Sequence, residues 1–272
     1  MKRPMRLTVI SDLHDGQLVG FTPPSWDSDK PKGSALRQSA WRMRRAIYSW
    51  ARELIHALPV PDVLLINGDA IDGKGYASGG TELITSDRGE QVEMADAAIR
   101  DLFYRGNRRP KIFMSYGTGY HTGKKEDWEN QLALALGDNV EHLAGEGNFD
   151  IRGTIFNHKH AVSTSQIPHG RFTAISRDKL WNTLWSLRGE FPAADVLIRS
   201  HVHYHAFAGT VEGVAMTTPA LQGYGSKFGS RIPSGTVDVG FITFEIDEGK
   251  QFSWQPHIWR APFKPATVVE ED

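Results

Sequence analysis

The stretch VLLINGDAID, residues 63–72, decides the fold class because an apolar run gives way at once to polar residues. Four consecutive aliphatic residues that include Val and Ile are typical of a strand buried on both faces. Four further apolar runs are followed by polar residues in the same way, at 7–10, 111–114, 154–156 and 195–198. The recurrence predicts buried strands whose ends carry the chemistry of the protein.

Helical patterns separate the first three strands, and they predict helices over 35–57, 90–104 and 126–136. A fourth helix is predicted to begin with Ser176 as its N-cap, with an apolar stripe of Leu180, Trp181, Leu184 and Trp185. After residue 195 the pattern changes to strands without helices, at 206–210, 214–217, 237–246 and 251–259. This order predicts an α/β fold in which two mixed β-sheets pack face to face with flanking helices, as a single domain over 1–272.

The composition is that of an ordinary globular protein, with 40% hydrophobic and 23% charged residues among 272. Lys and Arg number 31 against 32 Asp and Glu, so the net charge of −1 gives no general argument for binding nucleic acid. The chain has no cysteine, which excludes disulfides, thiolate zinc sites and cysteine nucleophiles. Any bound metal ion must therefore be held by oxygen and imidazole ligands.

The apolar stretch near the N-terminus, residues 7–10, is too short for the core of a signal peptide. No apolar run approaches the length needed to span a membrane. We therefore expect a cytoplasmic protein with no membrane partner.

Asp and His residues follow all five apolar runs. They are Asp12 and His14, Asp69 and Asp72, His121, His158 and His160, and His201 and His203. Ligands collect beyond the carboxyl ends of strands in open α/β sheets, so we expect these side chains to converge. Without sulfur, such a donor set suits divalent Mn, Fe, Zn, Ni or Mg, and it is large enough for two ions.

At these residues the sequence resembles the calcineurin-like metallophosphoesterases, whose pattern is D-x-H, G-D-x-x-D, G-N-H-D/E, an isolated His, and G-H-x-H. This chain has Asp12-Leu13-His14, then Gly68-Asp69-Ala70-Ile71-Asp72, then His158 and His160, then Ser200-His201-Val202-His203. The blocks occur in the same order, and the resemblance covers residues 7 to about 205. It is closest in kind to phage or bacterial members with a divergent third motif.

The resemblance implies a role for each matching residue. Asp12, His14 and His203 would bind the first metal ion, Asp69 would bridge, and His201 with His160 or His158 would bind the second. Strand alternation puts His158 and His160 on one face and does not separate them, and His160 is preferred from the phage-type pattern. Asp72 would orient its neighbours as a carboxylate behind the ligands.

The third block differs from the family pattern. In Gly117-Thr118-Gly119-Tyr120-His121, Thr118 stands where the family has a metal-binding Asn, and His121 is displaced by two residues. Thr118 would be a weaker ligand, so the second metal ion would bind weakly, take a water or use His121 itself. His121 is otherwise expected to be the proton donor to the leaving oxygen, as a catalytic residue with Asp69.

The implied function is hydrolysis of phosphate esters by metal-activated hydroxide at a dinuclear centre, with a phosphodiesterase or nuclease-like enzyme favoured. A phosphomonoesterase of the same fold and a catalytically impaired metal-binding scaffold are the alternatives. An amidohydrolase is disfavoured because those enzymes open with H-x-H on an eight-fold barrel.

The predicted helix over 37–52 is basic and contains Trp41 and Trp50, so it is a candidate for contacting nucleic acid. Helices of this kind more often bury their Trp and Met residues and leave the arginines in solvent. His56, His142 and His257 lie away from the strand ends and are interpreted as structural histidines.

Overall fold

The computed structural model describes residues 2–26, 34–123, 127–165, 167–224 and 237–261. Within these ranges the strands form two mixed sheets. The six-stranded sheet has the order β11-β10-β1-β2-β3-β4. Its strands are β1 (Met5–Ile10), β2 (Val63–Ile66), β3 (Lys111–Ser115), β4 (Val140–Ala144), β10 (Val239–Ile246) and β11 (Phe252–Trp259). Strands β1 to β4 are parallel, and β10 and β11 extend the sheet in antiparallel fashion.

The five-stranded sheet has the order β5-β6-β7-β9-β8. Its strands are β5 (Glu146–Ile151), β6 (Thr154–Lys159), β7 (Val196–Arg199), β8 (Ala206–Thr210) and β9 (Gly213–Thr217). Strands β6, β7 and β9 are parallel, while β5 and β8 pair with them as antiparallel edges. The parallel centre of each sheet therefore points its carboxyl ends in one direction.

The described helices are α1 (Ala35–Ala57), α2 (Arg88–Phe103), α3 (Gly119–Thr122), α4 (Trp128–Leu136) and α5 (Gly170–Leu187). Helix α1 has the bounds that the sequence predicts, and α2 lies within two residues of its prediction. The predicted first residue of α4, at position 126, lies outside the described residues. Short 3-10 turns occur at Pro24–Trp26, Tyr76–Ser78 and Gly137–Asn139.

Three apolar cores hold the layers together. Strand residues such as Leu64 and Ile66 pack with Ile47 of α1 and Ile99 of α2 on the outer side of the first sheet. Their neighbours in the alternating register face the second sheet, where the core includes Leu7, Val9, Leu65, Phe156, Val196 and Ile198. A smaller core joins Ile175 of α5 to the far side of the second sheet. The two-sheet sandwich with flanking helices is the predicted fold class, and it is confirmed.

Three sequence predictions differ from the structure. Helix α5 begins at Gly170, six residues before the predicted cap, and its predicted core stripe is largely exposed: Leu180 is 60%, Trp181 48% and Leu184 40% accessible. Ala174, Ile175 and Asn182 are the buried residues of that helix instead. Strands β4 and β5 were not predicted, because neither contains an uninterrupted run of apolar residues like those of the central strands. Strand β6 continues to Lys159, three residues beyond the predicted run.

None of the described helices is long and apolar enough to cross a bilayer.

Candidate metal centre

The polar residues after β1, β2 and β7 lie in tight left-handed turns. Asp12, His14, Asp69, His201 and His203 have φ angles between 47° and 73°. They are five of the seven non-glycine residues with positive φ in the described chain. Such backbone conformations are costly for residues with a Cβ and cluster at functional sites. The surrounding structure therefore stabilises an unfavourable backbone conformation at these five residues, and that conformation sets the direction of their side chains.

The pairing of β1 with β2 continues through these turns. The backbone N–H of Asp12 donates to Gly68 O at 3.0 Å, and that of His14 donates to Asp69 O at 3.1 Å. On the other side, Gln222 N–H donates to Asp12 O at 2.9 Å. The ends of the two strands are thus locked together, with their donor side chains turned toward one place.

Three groups of donor residues have ligand atoms that all lie within 4.8 Å of one another. The groups are Asp12, His14 and His203; Asp69, His160 and His201; and His14, Asp69 and His121. Asp69 belongs to two groups, so its carboxylate lies between the others. Of the residues that the sequence predicts as ligands, all except Thr118 and His158 belong to these groups.

The donor atoms within the first group lack hydrogen-bond partners that would explain their burial. Asp12 Oδ1 and His14 Nε2 are both buried without a hydrogen bond, at 3.9 Å from each other. His203 Nε2 lies 3.2 Å from Asp12 Oδ1. Buried polar atoms normally have partners, and carboxylate with imidazole is a donor set that binds divalent cations well. These residues therefore fit a divalent metal ion.

Two glycines give the donors the space that they need. Gly68 has φ of 84°, and a Cβ on it would lie 2.6 Å from Nδ1 of His160. A Cβ on Gly117 would lie 2.2 Å from Asp69 Oδ1. Any larger residue at either position would push a donor side chain out of the cluster.

The carboxylates hold protons on two of the imidazoles. Burial alone would lower the pKa of His14, but the neighbouring carboxylates of Asp12 and Asp72 outweigh burial and raise that pKa to about 10. Burial likewise opposes the charged form of His160, but the charges of Asp69 and Asp12 raise its pKa to about 9. The same pairs hold the pKa values of Asp12 and Asp69 below their usual range, against the effect of burial. The positive charges of two imidazolium groups thus offset the negative charges of the buried carboxylates, as a bound metal ion would.

Asp72 touches two histidines from behind the cluster. Its Oδ1 lies 3.2 Å from His14 Nδ1 and 3.6 Å from His121 Nδ1. Its backbone carbonyl accepts the Nδ1–H of His121 at 2.8 Å, which leaves His121 Nε2 available for the cavity. Burial, together with the charge of His14, lowers the pKa of His121. The position of Asp72 is the one that the sequence predicts for an orienting carboxylate.

Thr118 contacts the carboxylate of Asp69 with two groups. Its backbone N–H donates to Asp69 Oδ1 at 2.6 Å, and its Oγ1 lies 3.2 Å from each carboxylate oxygen. His160 Nε2 approaches Asp69 Oδ2 at 2.9 Å, and the N-H at His160 Nδ1 donates to Asn67 O at 2.7 Å. Thr118 and His160 therefore fix the orientation of Asp69 from two sides.

His158 lies away from the donor groups. Because β6 runs to Lys159, His158 is a buried strand residue and only His160 follows the strand. The ring of His158 packs near Phe149 and His142, and its Nδ1 lies 2.7 Å from Ser115 Oγ. Burial, with the nearby His142, lowers its pKa to about 3, so this histidine is neutral.

A buried chain of hydroxyl and amide groups connects the two sheets behind the donors, and the sequence reasoning missed it. Asn67 donates to Ser200 Oγ at 2.6 Å and accepts from Ser115 Oγ at 2.6 Å. Ser200 Oγ and Ser11 Oγ each lie 2.7 Å from Thr218 Oγ1. Asn67, Ser115 and Ser200 are each a polar residue at the end of a buried strand run, which was the available signal.

Glu129 is a second residue that the sequence reasoning missed. It projects from α4 and is buried beside Asp69, where its Oε1 accepts the backbone N–H of Ala70 at 3.3 Å. Burial, with the charge of Asp69, raises its pKa to about 8. A neutral acid thus supports the turn that carries Asp69, and nothing in the local sequence of α4 indicates this role.

Five of the donor residues line a cavity of about 370 Å³. It is lined by His14, Asp69, His121, His201 and His203, and also by Tyr120, Gly75, Ala77, Ser78 and Glu82. The volume is sufficient for a small organic ester.

Comparison with known proteins gives structural likenesses only. No protein-family model and no curated protein matches the sequence. An archaeal phosphodiesterase is similar in structure, with 13% identity and a TM-score of 0.47 over 93% of this chain and 100% of that chain. Vps29 from Entamoeba histolytica, complexed with Zn²⁺, has 12% identity and a TM-score of 0.42 over 93% of this chain and 99% of its own. A predicted phosphoesterase from Streptococcus pneumoniae has 11% identity and a TM-score of 0.38 over 94% of this chain and 99% of its own. At these values the likeness adds no argument, and the fold stands on the strand pairing itself.

Proposed function

We propose that this protein is a calcineurin-like metallophosphoesterase that hydrolyses phosphodiesters at a centre of two divalent metal ions. The observation that carries the proposal is that Asp69 belongs to two donor groups, one with His160 and His201 and one with His14 and His121, and that His14 also belongs to the group of Asp12 and His203. A carboxylate that reaches two neighbouring cation positions is the bridging element of a two-metal site. Asp12, His14 and His203 complete the first position.

His160 rather than His158 is the proposed second-site histidine. It follows β6 at the centre and contacts Asp69, whereas His158 lies within the strand and contacts Ser115. Thr118 Oγ1 contacts both carboxylate oxygens of Asp69, so we propose that the threonine orients this carboxylate. The second ion would then have one protein ligand fewer than in the family pattern, where an Asn binds it.

The residues divide the work of hydrolysis as follows. Two divalent ions would supply Lewis acidity toward the phosphoryl oxygens and acidify the attacking water. Asp69 and the histidines would hold the two ions, and Asp72 contacts His14 and His121 and so keeps them oriented. His121 Nε2 delivers a proton to the oxygen that leaves as the phosphorus–oxygen bond breaks. Water adds across that bond, so a phosphate monoester and an alcohol result.

A diester is favoured over a monoester by the charge of the cavity wall. Among the described residues that line the cavity, none is Lys or Arg. A monoester dianion would have only the metal ions to balance its second charge, whereas a diester carries one charge.

The test compares bis-p-nitrophenyl phosphate with p-nitrophenyl phosphate in the presence of Mn²⁺. We expect the diester to be hydrolysed at least about tenfold faster at equal concentration, and a chelator to abolish the activity. A monoester preference would favour the phosphomonoesterase alternative. Metal binding without turnover on any ester would favour the impaired scaffold.

Binding of nucleic acid through residues 37–52 and a cytoplasmic location stay predictions. Several arginines of α1 are engaged within the protein: Arg37 donates to Thr81 O, Arg44 to Leu18 O and Arg52 to Asp101. Hydrolysis of short single-stranded DNA, measured beside the two p-nitrophenyl esters, tests the prediction of nucleic-acid binding.

Metal binding is expected to release protons and to strengthen as pH rises. The raised pKa values of His14 and His160, about 10 and about 9, mean that both imidazoles carry protons at pH 7 that a cation must displace. Affinity for Mn²⁺ should rise by up to about 100-fold per pH unit between pH 6.5 and 8, because two protons compete. Calorimetry in buffers of different ionisation enthalpy measures the protons released. The exposed-histidine variant His169→Gln should release the same number, and affinity independent of pH would contradict the prediction.

Replacing Thr118 with Asn is expected to strengthen the second metal site alone. An amide oxygen is a better metal ligand than a neutral hydroxyl, so affinity for the second Mn²⁺ should rise by about tenfold while the first stays unchanged. A two-site calorimetric titration measures both affinities. Thr173→Asn on the exposed side of α5 is the matched control, and weaker binding at either site in Thr118→Asn would contradict the assignment.

A further inference from the structure

A series of aromatic rings leads from the donor cluster to Tyr120, which lines the cavity, and on to Tyr76, which lies next to Tyr120 outside the cavity lining. The rings of His14 and His121 are 4.4 Å apart, those of His121 and Tyr120 are 4.8 Å apart, and those of Tyr120 and Tyr76 are 6.0 Å apart. All three pairs meet edge to face. The first ring belongs to a proposed metal ligand, and the last two are tyrosines for which the proposed chemistry has no use.

Both tyrosines expose a substantial part of their rings. Tyr76 is 62% and Tyr120 40% exposed, although each ring contacts another aromatic ring. Tyr120 lines the cavity directly. Exposed aromatic faces beside a binding cavity are typical stacking surfaces for planar groups.

The turn that contains Tyr76 and Ala77 contacts the hydroxyl of Tyr120. That hydroxyl accepts the backbone N–H of Ala77, in the 3-10 turn that begins with Tyr76. The loop that carries the turn passes close to α3, since a Cβ on Gly73 would lie 2.4 Å from the carbonyl oxygen of His121. The two tyrosines are therefore parts of one fixed wall rather than independent surface residues.

The cavity lining around Tyr120 suits an uncharged leaving group better than an anionic one. No Lys or Arg occurs among the cavity-lining residues in the part of the chain that the structure describes. A leaving group with a further phosphate would find no cation there. A planar, uncharged ring would find Tyr120 directly beside His121, the proposed proton donor to the leaving oxygen.

We propose that Tyr120, supported by Tyr76, is a stacking subsite for an aromatic ring in the leaving alcohol of the ester, as in aryl esters and nucleosides. The inference rests on the proposed phosphodiesterase function, because His121 defines which side of the phosphorus the leaving group occupies. It assigns the substrate class by the shape and charge of the leaving group.

The test measures binding of phenylphosphonate and cyclohexylphosphonate to the Mn²⁺-loaded protein by calorimetry. The two probes carry the same anionic group and rings of similar size, and only one ring is planar and aromatic. We expect phenylphosphonate to bind about tenfold more tightly to the wild-type protein, within the range that aromatic stacking reaches. In Tyr120→Leu the two affinities should differ by less than about twofold. Tyr76→Leu, at a more exposed position, should reduce the preference by about threefold.

Two variants separate stacking from other effects. Tyr120→Phe keeps the ring and loses only the contact with Ala77, so it should keep most of the preference, with a reduction of less than about threefold. Trp181→Leu removes an exposed aromatic side chain on α5, outside the cavity lining, and should also keep it. Equal binding of both probes to the wild type, an intact preference in Tyr120→Leu, or its loss in Tyr120→Phe would overturn the subsite alone. If neither phosphonate bound to the metal-loaded protein, the proposed function itself would be overturned.

Discussion

Replacing Asp69 with Asn is expected to reduce kcat/KM for a phosphodiester by at least about 10³-fold and to lower the number of bound metal ions from two to one or none. The substitution keeps the size of the side chain and removes one negative charge. That charge is buried, with 1% exposure, and it belongs to one donor group with His14 and His121 and to another with His160 and His201. An amide cannot bridge two cations, so metal pairing and turnover should be lost together.

The measurement combines steady-state kinetics with elemental analysis of the same preparation. Asp138→Asn is the matched control, because Asp138 is exposed in a 3-10 turn away from the cavity and the same change of charge should leave both quantities unaltered. Thermal unfolding checks that Asp69→Asn is folded. Full turnover in the Asn variant would show that Asp69 does not bridge.

Replacing His121 with Gln is expected to slow hydrolysis by about 10² to 10⁴-fold when the leaving alcohol is a poor leaving group. With p-nitrophenolate, which leaves without a proton, the loss should be less than about tenfold. The contrast arises because a proton donor matters only when the leaving oxygen needs protonation. The position of His121 Nε2, opposite the nitrogen that bonds to Asp72 O, leaves this atom available for the transfer.

The same comparison distinguishes the other role that the sequence leaves open for His121. This residue forms a donor group with His14 and Asp69, so it is also placed to bind a metal ion. If it is a ligand, His121→Gln will lose a metal ion and slow all esters equally, whatever the leaving group. His56→Gln is the control, because His56 lies on α1 and bonds to Asp101 O without lining the cavity. Equal losses with both leaving groups would contradict the proton-donor assignment.

The sequence predicts the central strands well because they are buried on both faces. A run such as residues 63–66 is apolar without interruption, so β2 has the bounds that were predicted. Strands β4 and β5 are edge strands and contain both polar and apolar residues, so they have no uninterrupted apolar run that would predict them. In α5 the apolar stripe misled, because the buried residues of the helix are Ala174, Ile175 and Asn182, whereas Leu180, Trp181 and Leu184 are exposed.

For the site, the sequence predicts which residues follow the strands but not how they are held. The left-handed turns at Asp12 and Asp69 have no sequence signature, since residues other than glycine rarely adopt them. Glu129 arrives from a distant helix, and its burial beside Asp69 depends on tertiary packing. The length of β6 is what separates His158 from His160, and strand alternation alone could not give it.

The most direct measurement of the central claim is anomalous diffraction from crystals of the protein loaded with Mn²⁺. The account predicts two peaks about 3.5–4 Å apart on either side of the Asp69 carboxylate. One should lie against Asp12, His14 and His203, and the other against His160 and His201. No peak among these side chains, or a single ion that does not contact Asp69, would contradict it.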